Sequence, residues 1–291
     1  MSKNIELDKF YTPKDTVKRC INIFFNMIDI EDVTEIIEPS AGNGAFSLEL
    51  DCIAYDLEPE HESIIKQDFL KLDLPYKQGR AIIGNPPFGN RNNLALKFFK
   101  KSIKSCDYIG FILPISQLNN IDSFYEFTLI SSHDLGVLEY SGMIVHCCFN
   151  VYERPEELNK KPRLKSDLFS LHRTNRDNFE NTKADFIICK RGSVGKLVEK
   201  EGTYADEYKV VVFDKINLQY VKDTILNYDW KNYKTHQSSP NISKNDIYRL
   251  FEGEGRKNKY GMIAHTFNRS TKQRHIVHNV PQLYPVGQLK E

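Results

Sequence analysis

The sequence lacks long hydrophobic runs and paired cysteines. None of its apolar runs approaches the roughly 20 residues that a membrane-spanning helix needs, and its first residues have no apolar core of the kind found in a signal peptide. The six cysteines are scattered without any C-x-x-C spacing, and several stand in apolar runs. We therefore expect a cytoplasmic protein with buried, reduced thiols, no membrane contact and no metal site.

The sequence also lacks an excess of charge of either sign, since its net charge is only +1. That value excludes a uniformly basic nucleic-acid binder, so any such surface must come from local segregation of charge. Basic residues are concentrated between residues 154 and 191 and after residue 255. A solvated surface explains each stretch equally well. The candidate nucleic-acid contacts are Lys190, Arg191, Lys196, Arg256, Lys257, Lys259, Arg269, Lys272 and Arg274.

A helix is predicted near the N-terminus. Thr12 suits the N-cap, Pro13 suits the first turn, and Asp15 stands three residues after Thr12, as in a capping box. The apolar residues that follow recur at helical spacing, so one face of the helix is predicted to pack on a core. That face holds Val17, Cys20, Ile21, Phe24, Phe25 and Ile28.

Four short apolar runs follow, and each ends in acidic, glycine or proline residues. This pattern is typical of buried strands in a parallel sheet. The second, third and fourth runs are too close together for full crossover helices, so brief helices or loops are expected between them. An amphipathic helix and a fifth strand come next. The segments are TEIIEPS, CIAYDL, IIKQDF and AIIGNPP for the four runs, NNLALKFFKKSIKSC for the helix and YIGFILPIS for the fifth strand.

Two further apolar runs, HDLGVLEY and CCFNVYERP, predict an antiparallel hairpin at the edge of the sheet. The polar stretch after them predicts a domain boundary, with domains at residues 1–155 and 156–291. In the second domain we expect a β-hairpin around Arg191–Ser193, a helix in NLQYVKDTILNYDW and a short helix capped by Ser243. The predicted fold class is α/β: a mostly parallel, Rossmann-like sheet with an antiparallel edge hairpin, followed by a smaller α+β region.

A glycine-containing loop follows the first predicted strand. The stretch Glu38–Phe46 includes Gly42 and Gly44, and glycines there let a ligand approach the backbone at the edge where open α/β sheets bind their ligands. A dinucleotide motif is excluded, because Phe46 and Ser47 occupy the region where a third glycine is needed. The loop therefore predicts a ligand site of another kind.

Acidic residues end the next two predicted strands. Asp56 can accept hydrogen bonds from both ribose hydroxyls of a nucleoside, and Asp68 offers an acceptor for an adenine amino group beside the ring of Phe69. Together they indicate a nucleoside site. Gly192–Lys196 forms no rival phosphate-binding loop of the Walker type, because Lys190 stands where the first glycine should be.

The most specific feature of the chain is Asn85-Pro86-Pro87-Phe88. Two prolines fix the backbone and remove two amide donors, so the Pro86 carbonyl and the Asn85 side-chain oxygen can present acceptors to one small group. An amino group with two protons fits that pair, and the ring of Phe88 can stack on a planar base that carries the amine. The plain alternative is a proline-rich turn that only ends a strand. The preceding glycine loop and acid weigh against that alternative.

These residues together resemble the N6-adenine DNA methyltransferases of the gamma arrangement, over roughly residues 8–153. Phe10–Pro13 is similar to the N-terminal motif that closes over the methionine end of S-adenosylmethionine, Glu38–Phe46 to the cofactor loop, and Asn85–Phe88 to the catalytic motif. Phe149 is a candidate for a second ring against the base, although such a strand residue is more often plain core. The resemblance implies cofactor contacts at Tyr11, Thr12, Pro13, Glu38, Pro39, Ala41, Gly42, Gly44, Asp56, Asp68 and Phe69, and catalytic roles for Asn85, Pro86, Pro87 and Phe88.

The resemblance implies transfer of a methyl group from S-adenosylmethionine to N6 of adenine in duplex DNA, with the base flipped out of the helix. It places target recognition toward the C-terminus and is compatible with a role in restriction-modification. Two alternatives use the same motif chemistry: adenine in RNA, and the amide of a protein glutamine, for which tyrosine is usual at the position of Phe88. A further alternative is a catalytically silent subunit that only binds nucleic acid. The intact Gly42, Gly44 and Asp56 and the full motif argue against it.

Overall fold

The computed structural model describes residues 11–140, 143–174, 183–204, 206–230 and 241–251. The chain forms two compact units that divide between Lys161 and Pro162. No helix in the described ranges combines the length and the apolar composition that a membrane crossing requires. Each unit has its own sheet and its own buried apolar core.

The strands of the first unit are β1 (Glu35–Glu38), β2 (Ile53–Asp56), β3 (Ile65–Lys66), β4 (Arg80–Gly84), β5 (Tyr108–Pro114), β6 (Thr128–Tyr140) and β7 (Met143–Glu153). They form one sheet of order β3-β2-β1-β4-β5-β7-β6. The first five run parallel, whereas β7 runs antiparallel to both β5 and β6. This is the strand order of the class I methyltransferase sheet, so the predicted fold class is confirmed.

The connection between β1 and β2 consists of turns and contains no α-helix. Its backbone is held by local hydrogen bonds, from Leu48 N to the Gly44 carbonyl and from Leu50 N to the Phe46 carbonyl, both at 2.9 Å. Short turns also join β2 to β3 and β3 to β4, as their spacing in the sequence predicts. These compact turns keep the residues that follow each strand close to the carboxyl edge of the sheet.

Helix α1 (Lys14–Phe25) begins one residue later than predicted, with Pro13 at the N-cap and no side-chain cap bond. The predicted capping box at Thr12 is therefore wrong. The Thr12 hydroxyl instead accepts a hydrogen bond from the side chain of Asn85 at 3.2 Å. The predicted apolar face of the helix is buried in the core of the first unit, except that Phe25 is only partly buried.

The predicted edge hairpin is confirmed, since β6 and β7 pair antiparallel up to Tyr140 opposite Met143. Strand β6 is longer than predicted, because it begins at Thr128, and its register shifts after Leu129 and after Asp134. Such irregularities raise the twist of an edge strand. The predicted amphipathic helix is also present, as α2 (Asn93–Ser102), with Ala95, Phe98, Phe99 and Ser102 buried.

The second unit contains strands β8 (Phe169–Arg173), β9 (Phe186–Cys189), β10 (Leu197–Val198) and β11 (Glu207–Val212), and helices α3 (Leu218–Leu226) and α4 (Lys244–Arg249). Its sheet is antiparallel, of order β10-β9-β11-β8. The predicted hairpin is β9 with β10, both predicted helices are present, and Ser243 caps α4 in a capping box with Asp246. Strands β8 and β11 were not predicted from the sequence.

Candidate active site

A cavity lies at the carboxyl edge of the first unit's sheet. Glu38 ends β1, Asp56 ends β2 and Asn85 follows β4, and all three line the cavity. Parallel neighbouring strands deliver their carboxyl ends to one edge, so motifs that are distant in sequence meet there. The predicted site residues in the wall are Tyr11, Thr12, Glu38, Pro39, Ala41, Gly42, Asp56, Asp68, Phe69, Asn85 and Pro87, whereas Pro13, Gly44, Pro86 and Phe88 do not line it.

Asp56 holds the glycine loop in place. Its Oδ2 atom accepts a hydrogen bond from Gly42 N at 2.7 Å, and its Oδ1 atom accepts one from Glu58 N at 2.8 Å. A carboxylate has about four acceptor positions, so Asp56 keeps capacity for ligand hydroxyls. Gly42 has a φ of +55°, and a Cβ on it would meet nothing within 4 Å. Glycine is therefore favoured there by the backbone conformation rather than by lack of space.

Glu38 is buried at the foot of the same loop, with 2% of its surface exposed. Its carboxylate accepts hydrogen bonds from Ser47 N at 2.8 Å and from Phe46 N at 3.3 Å. Burial disfavours the charged form, and the neighbouring Asp56 charge adds to this, so the pKa of Glu38 is raised to about 7. The two backbone donors oppose the rise without cancelling it.

The raised pKa of Glu38 predicts how stability depends on pH. The folded-state pKa of about 7 lies above the ordinary value of 4.5, so the folded state binds more protons between these values. The free energy of unfolding should therefore fall between pH 4.5 and 7, by at most about 3 kcal/mol from this group. Glu38→Gln should flatten this slope in urea titrations at several pH values, and Glu31→Gln, at an exposed position, should not. Equal slopes for wild type and Glu38→Gln would contradict the assignment.

Asp68 and Phe69 form another side of the cavity. Asp68 Oδ1 accepts a hydrogen bond from Leu70 N at 3.0 Å, and Oδ2 lies 3.4 Å from the exposed ammonium of Lys71. Phe69 is stacked on Phe98, with ring centroids 5.7 Å apart and an interplanar angle of 12°. An acceptor beside paired aromatic rings suits a flat, apolar ring that carries an amino group.

Asn85 is held from two sides. Its backbone carbonyl accepts a hydrogen bond from the Ser40 hydroxyl at 3.3 Å, and its Nδ2 atom donates to Thr12 Oγ1 at 3.2 Å. The remaining polar atom, Oδ1, is buried and has no hydrogen-bond partner among the described residues. Buried polar atoms are almost always paired in folded proteins. A buried acceptor left open at the edge of a cavity is therefore a position for a donor from a ligand.

The two aromatic rings predicted to stack on a base belong to the core of the first unit. Phe88 is 8% exposed and Phe149 is 0% exposed, and both lie in the same buried cluster. The backbone carbonyl of Phe88 also accepts hydrogen bonds from Leu94 N and Ala95 N, which fixes the turn into α2. Stacking by Phe88 stays a prediction, and stacking by Phe149 would require its ring to leave this core.

Tyr11 and Thr12 of the N-terminal motif line the cavity just before α1 begins. The Tyr11 hydroxyl lies 2.7 Å and 2.9 Å from the two carboxylate oxygens of Glu60, 49 residues away in the sequence. Glu60 N in turn donates to the Gly42 carbonyl at 3.0 Å. Tyr11 is thus linked to the glycine loop through Glu60. Phe10, also part of the predicted motif, lies outside the described residues.

Several wall residues were missed by the sequence analysis. Ser40 lines the cavity and lies inside the predicted glycine loop. Its position in that loop was the signal that could have identified it as a wall residue. Leu94 and Phe98 are four residues apart on α2, and the helical spacing that predicted their apolar face also implied a shared side. The other missed wall residues are Asn43, Ala45, Leu57, Glu58, Gln67 and Leu70.

The predicted nucleic-acid contacts in the second unit differ in exposure. Lys190 is only 7% exposed, and its Nζ atom donates to Asn241 Oδ1 at 2.6 Å and to Asp206 Oδ2 at 3.2 Å. Burial lowers the pKa of Lys190, against the opposing effect of Asp206. The Lys190 ammonium is therefore paired within the second unit, and we do not propose Lys190 as a phosphate contact. Arg191 and Lys196 are exposed. The other predicted contacts, Arg256, Lys257, Lys259, Arg269, Lys272 and Arg274, lie outside the described residues.

Comparison with known proteins gives distant, partial matches. No protein-family model matches the chain. The type II methyltransferase M.HincII of Haemophilus influenzae is 33% identical over 140 residues, which cover 40% of this chain and only 26% of that protein. The rRNA adenine N-6-methyltransferase of Escherichia coli is 24% identical over 196 residues, which cover 61% of this chain and 74% of that protein.

The matches to solved structures are also distant and partial. A structure described as a putative RNA methyltransferase, from Pyrococcus horikoshii, has a TM-score of 0.42 and 13% identity, and the match covers 53% of this chain and 90% of that one. A structure described as a putative class I S-adenosylmethionine-dependent methyltransferase, from Listeria monocytogenes, has a TM-score of 0.42 and 12% identity, and the match covers 56% of this chain and 66% of that one. At these TM-scores the two structures are too distant to support the fold assignment, which rests on the strand order of the first unit's sheet. The chain thus has a class I methyltransferase-like fold and a distant, partial similarity to type II DNA methyltransferases and to an rRNA adenine methyltransferase.

Proposed function

We propose that this chain transfers a methyl group from S-adenosylmethionine to N6 of adenine in DNA, with the target base flipped out of the duplex. The observation that carries the proposal is the side chain of Asn85, whose Oδ1 atom is buried without a partner among the described residues. An unmet buried acceptor costs free energy. A substrate donor would meet it, and an exocyclic amine is such a donor.

The described residues fit S-adenosylmethionine. Asp56 has acceptor capacity for the ribose hydroxyls, and the stacked Phe69 offers an apolar face for the adenine ring, with Asp68 as an acceptor for its amino group. Glu38, when ionised, places a negative charge beside this cavity, which favours a cationic ligand. When bound, S-adenosylmethionine supplies a methyl group on a positively charged sulfur, which makes that methyl group electrophilic.

The role of Asn85 follows from the chemistry of the amine. The lone pair of adenine N6 is delocalised into the ring, so N6 is a poor nucleophile. Hydrogen bonds from its two protons to Asn85 Oδ1 and to the Pro86 carbonyl would favour a tetrahedral nitrogen with a localised lone pair. The contact with Pro86 rests on the sequence motif alone, because Pro86 does not line the cavity. Two prolines restrict the backbone that carries both acceptors, and Ser40 holds the Asn85 backbone carbonyl. A fixed amine orientation also lowers the entropic part of the barrier.

DNA is proposed ahead of RNA because of the motif order and the similarity to a type II methyltransferase. Adenine in RNA is the second candidate, supported by the alignment with an rRNA adenine N-6-methyltransferase, which spans most of both chains. Both substrates present the same amine to Asn85. We assign nucleic-acid binding to the region after residue 155, with the exposed Arg191 and Lys196 as phosphate contacts.

Asp56→Ala tests the cofactor assignment. The variant removes the carboxylate that orders the glycine loop and that would accept the ribose hydroxyls. Because hydrogen bonds to a charged group are strong, the Kd for S-adenosylmethionine should rise by about 10- to 100-fold. Asp51→Ala is the matched control, since this exposed carboxylate precedes β2 and should leave the Kd unchanged. Calorimetric titration measures both, and an unchanged Kd in Asp56→Ala would remove Asp56 from the site.

The reaction itself is tested with S-adenosylmethionine labelled in its methyl group. The full chain is incubated with duplex DNA, total RNA and a protein extract in parallel, and the products are analysed after nuclease digestion. N6-methyladenine in DNA supports the proposal, and N6-methyladenine in RNA selects the second candidate. Label on a protein glutamine, or no transfer despite measurable cofactor binding, overturns both.

A further inference from the structure

The hydrogen bond between Thr12 and Asn85 joins the N-terminal motif to the proposed catalytic motif. Asn85 Nδ2 donates to Thr12 Oγ1 at 3.2 Å, although the residues are 73 positions apart. Thr12 is 8% exposed and lines the cavity. Helix α1 begins directly after Pro13 and makes no side-chain cap bond. The Thr12 hydroxyl is therefore used by the site rather than by the helix.

The orientation of the Asn85 amide decides what it presents to a ligand. One end of an asparagine side chain only accepts hydrogen bonds and the other only donates them. A rotation of 180° about the Cβ–Cγ bond would exchange Oδ1 and Nδ2. The donor Nδ2 would then face the donor protons of a substrate amine. The bond from Ser40 reaches the Asn85 backbone and does not fix the side chain. Thr12 holds the donating end, and the accepting end has no partner among the described residues.

We propose that Thr12 is a positioning residue for Asn85: by accepting a hydrogen bond from Nδ2, it holds Oδ1 ready for the substrate amine. The proposal rests on the proposed function for the identity of that amine. The orientation of the amide itself is independent of the substrate. The N-terminal motif thus contributes to the transfer step as well as to the cavity wall.

Thr12→Val tests the proposal, because valine keeps the shape of threonine and removes the acceptor. At saturating S-adenosylmethionine, where cofactor affinity no longer matters, kcat should fall by about 10- to 100-fold. Thr12→Ser keeps a hydroxyl and should retain kcat within about threefold of wild type. Thr16→Val removes a threonine hydroxyl from α1, outside the cavity wall, and should keep the wild-type kcat.

A second readout needs no activity. The side-chain amide protons of Asn85 are observed in a nitrogen-15 correlation spectrum and assigned by their disappearance in Asn85→Asp. Their protection from exchange with water should be lost in Thr12→Val and kept in Thr12→Ser. Unchanged protection in Thr12→Val overturns the proposal, and so does a wild-type kcat in that variant. If wild type methylates no adenine substrate, the proposed function fails, and the amide protection still decides the role of Thr12.

Discussion

Asn85→Ala is expected to abolish methyl transfer while S-adenosylmethionine binds with its wild-type affinity. The variant removes the buried acceptor Oδ1, the group assigned to the substrate amine. Loss of one oriented polar group that acts on the reacting centre lowers kcat by about 100-fold or more. The cofactor assignment rests on other groups: Asp56 and Glu38 accept hydrogen bonds from the backbone of the glycine loop and do not depend on Asn85. Single-turnover rates and calorimetric Kd values measure the two effects separately.

Asn90→Ala is the control for that experiment. Asn90 is exposed and lies in the turn that follows the motif, so its substitution should leave both the rate and the Kd unchanged. Transfer at the wild-type rate by Asn85→Ala would contradict the mechanism. A parallel loss of transfer and of cofactor binding would contradict it too, because Asn85 would then have a structural role.

The position of the cavity was predictable from residues that stand at the ends of predicted parallel strands. Glu38 ends β1, Asp56 ends β2 and Asn85 directly follows β4, and parallel strands bring such positions to one edge. The sequence therefore predicted which segments meet, without any knowledge of distances. Roles taken from the resemblance, such as stacking by Phe88, stay predictions.

Contacts between segments that are distant in sequence were not predictable. Thr12 has the local pattern of a helix cap, and the competing partner Asn85 is 73 residues away. The role of a basic residue is hard to predict for the same reason. Composition gives the number of basic residues but does not show whether each side chain faces solvent or an internal partner. Lys190 belongs to a basic stretch, yet its ammonium donates a hydrogen bond to Asp206. The pairing of β9 with β11 brings these two residues together. The alternation of apolar and polar residues in FSLHR, with Phe169 and Leu171 buried, was a signal for strand β8 that the sequence analysis overlooked.

Gly195 shows the same dependence on distant residues. It lies between β9 and β10 with a φ of +74°, and a Cβ placed on it would lie 2.0 Å from Cδ1 and 2.3 Å from Nε1 of Trp230. The indole is not free to withdraw, because its Nε1 donates to the Ile225 carbonyl at 2.8 Å and Tyr228 packs against it with ring centroids 4.7 Å apart. This glycine therefore serves the packing of the second unit.

Gly195→Ala is therefore expected to destabilise the second unit by about 3 kcal/mol or more, from overpacking and from the positive φ together. Gly192→Ala is the matched control. It has a φ of +81° with nothing within 4 Å of the added Cβ, so only the backbone cost of about 1 kcal/mol applies. Trp230 is the only tryptophan of the chain and is 5% exposed. Its fluorescence during urea unfolding therefore reports on the second unit.

The difference between the two alanine variants isolates the overlap with the indole, because both replace a glycine of positive φ in the same loop. Trp230→Leu should cancel most of this difference, since the ring atoms that the Cβ meets are then gone; circular dichroism replaces fluorescence for these double variants. If Gly195→Ala and Gly192→Ala unfold at the same urea concentration, the indole moves aside at little cost. Gly195 would then be explained by its backbone conformation alone, and tight packing against Trp230 would not be what requires glycine there.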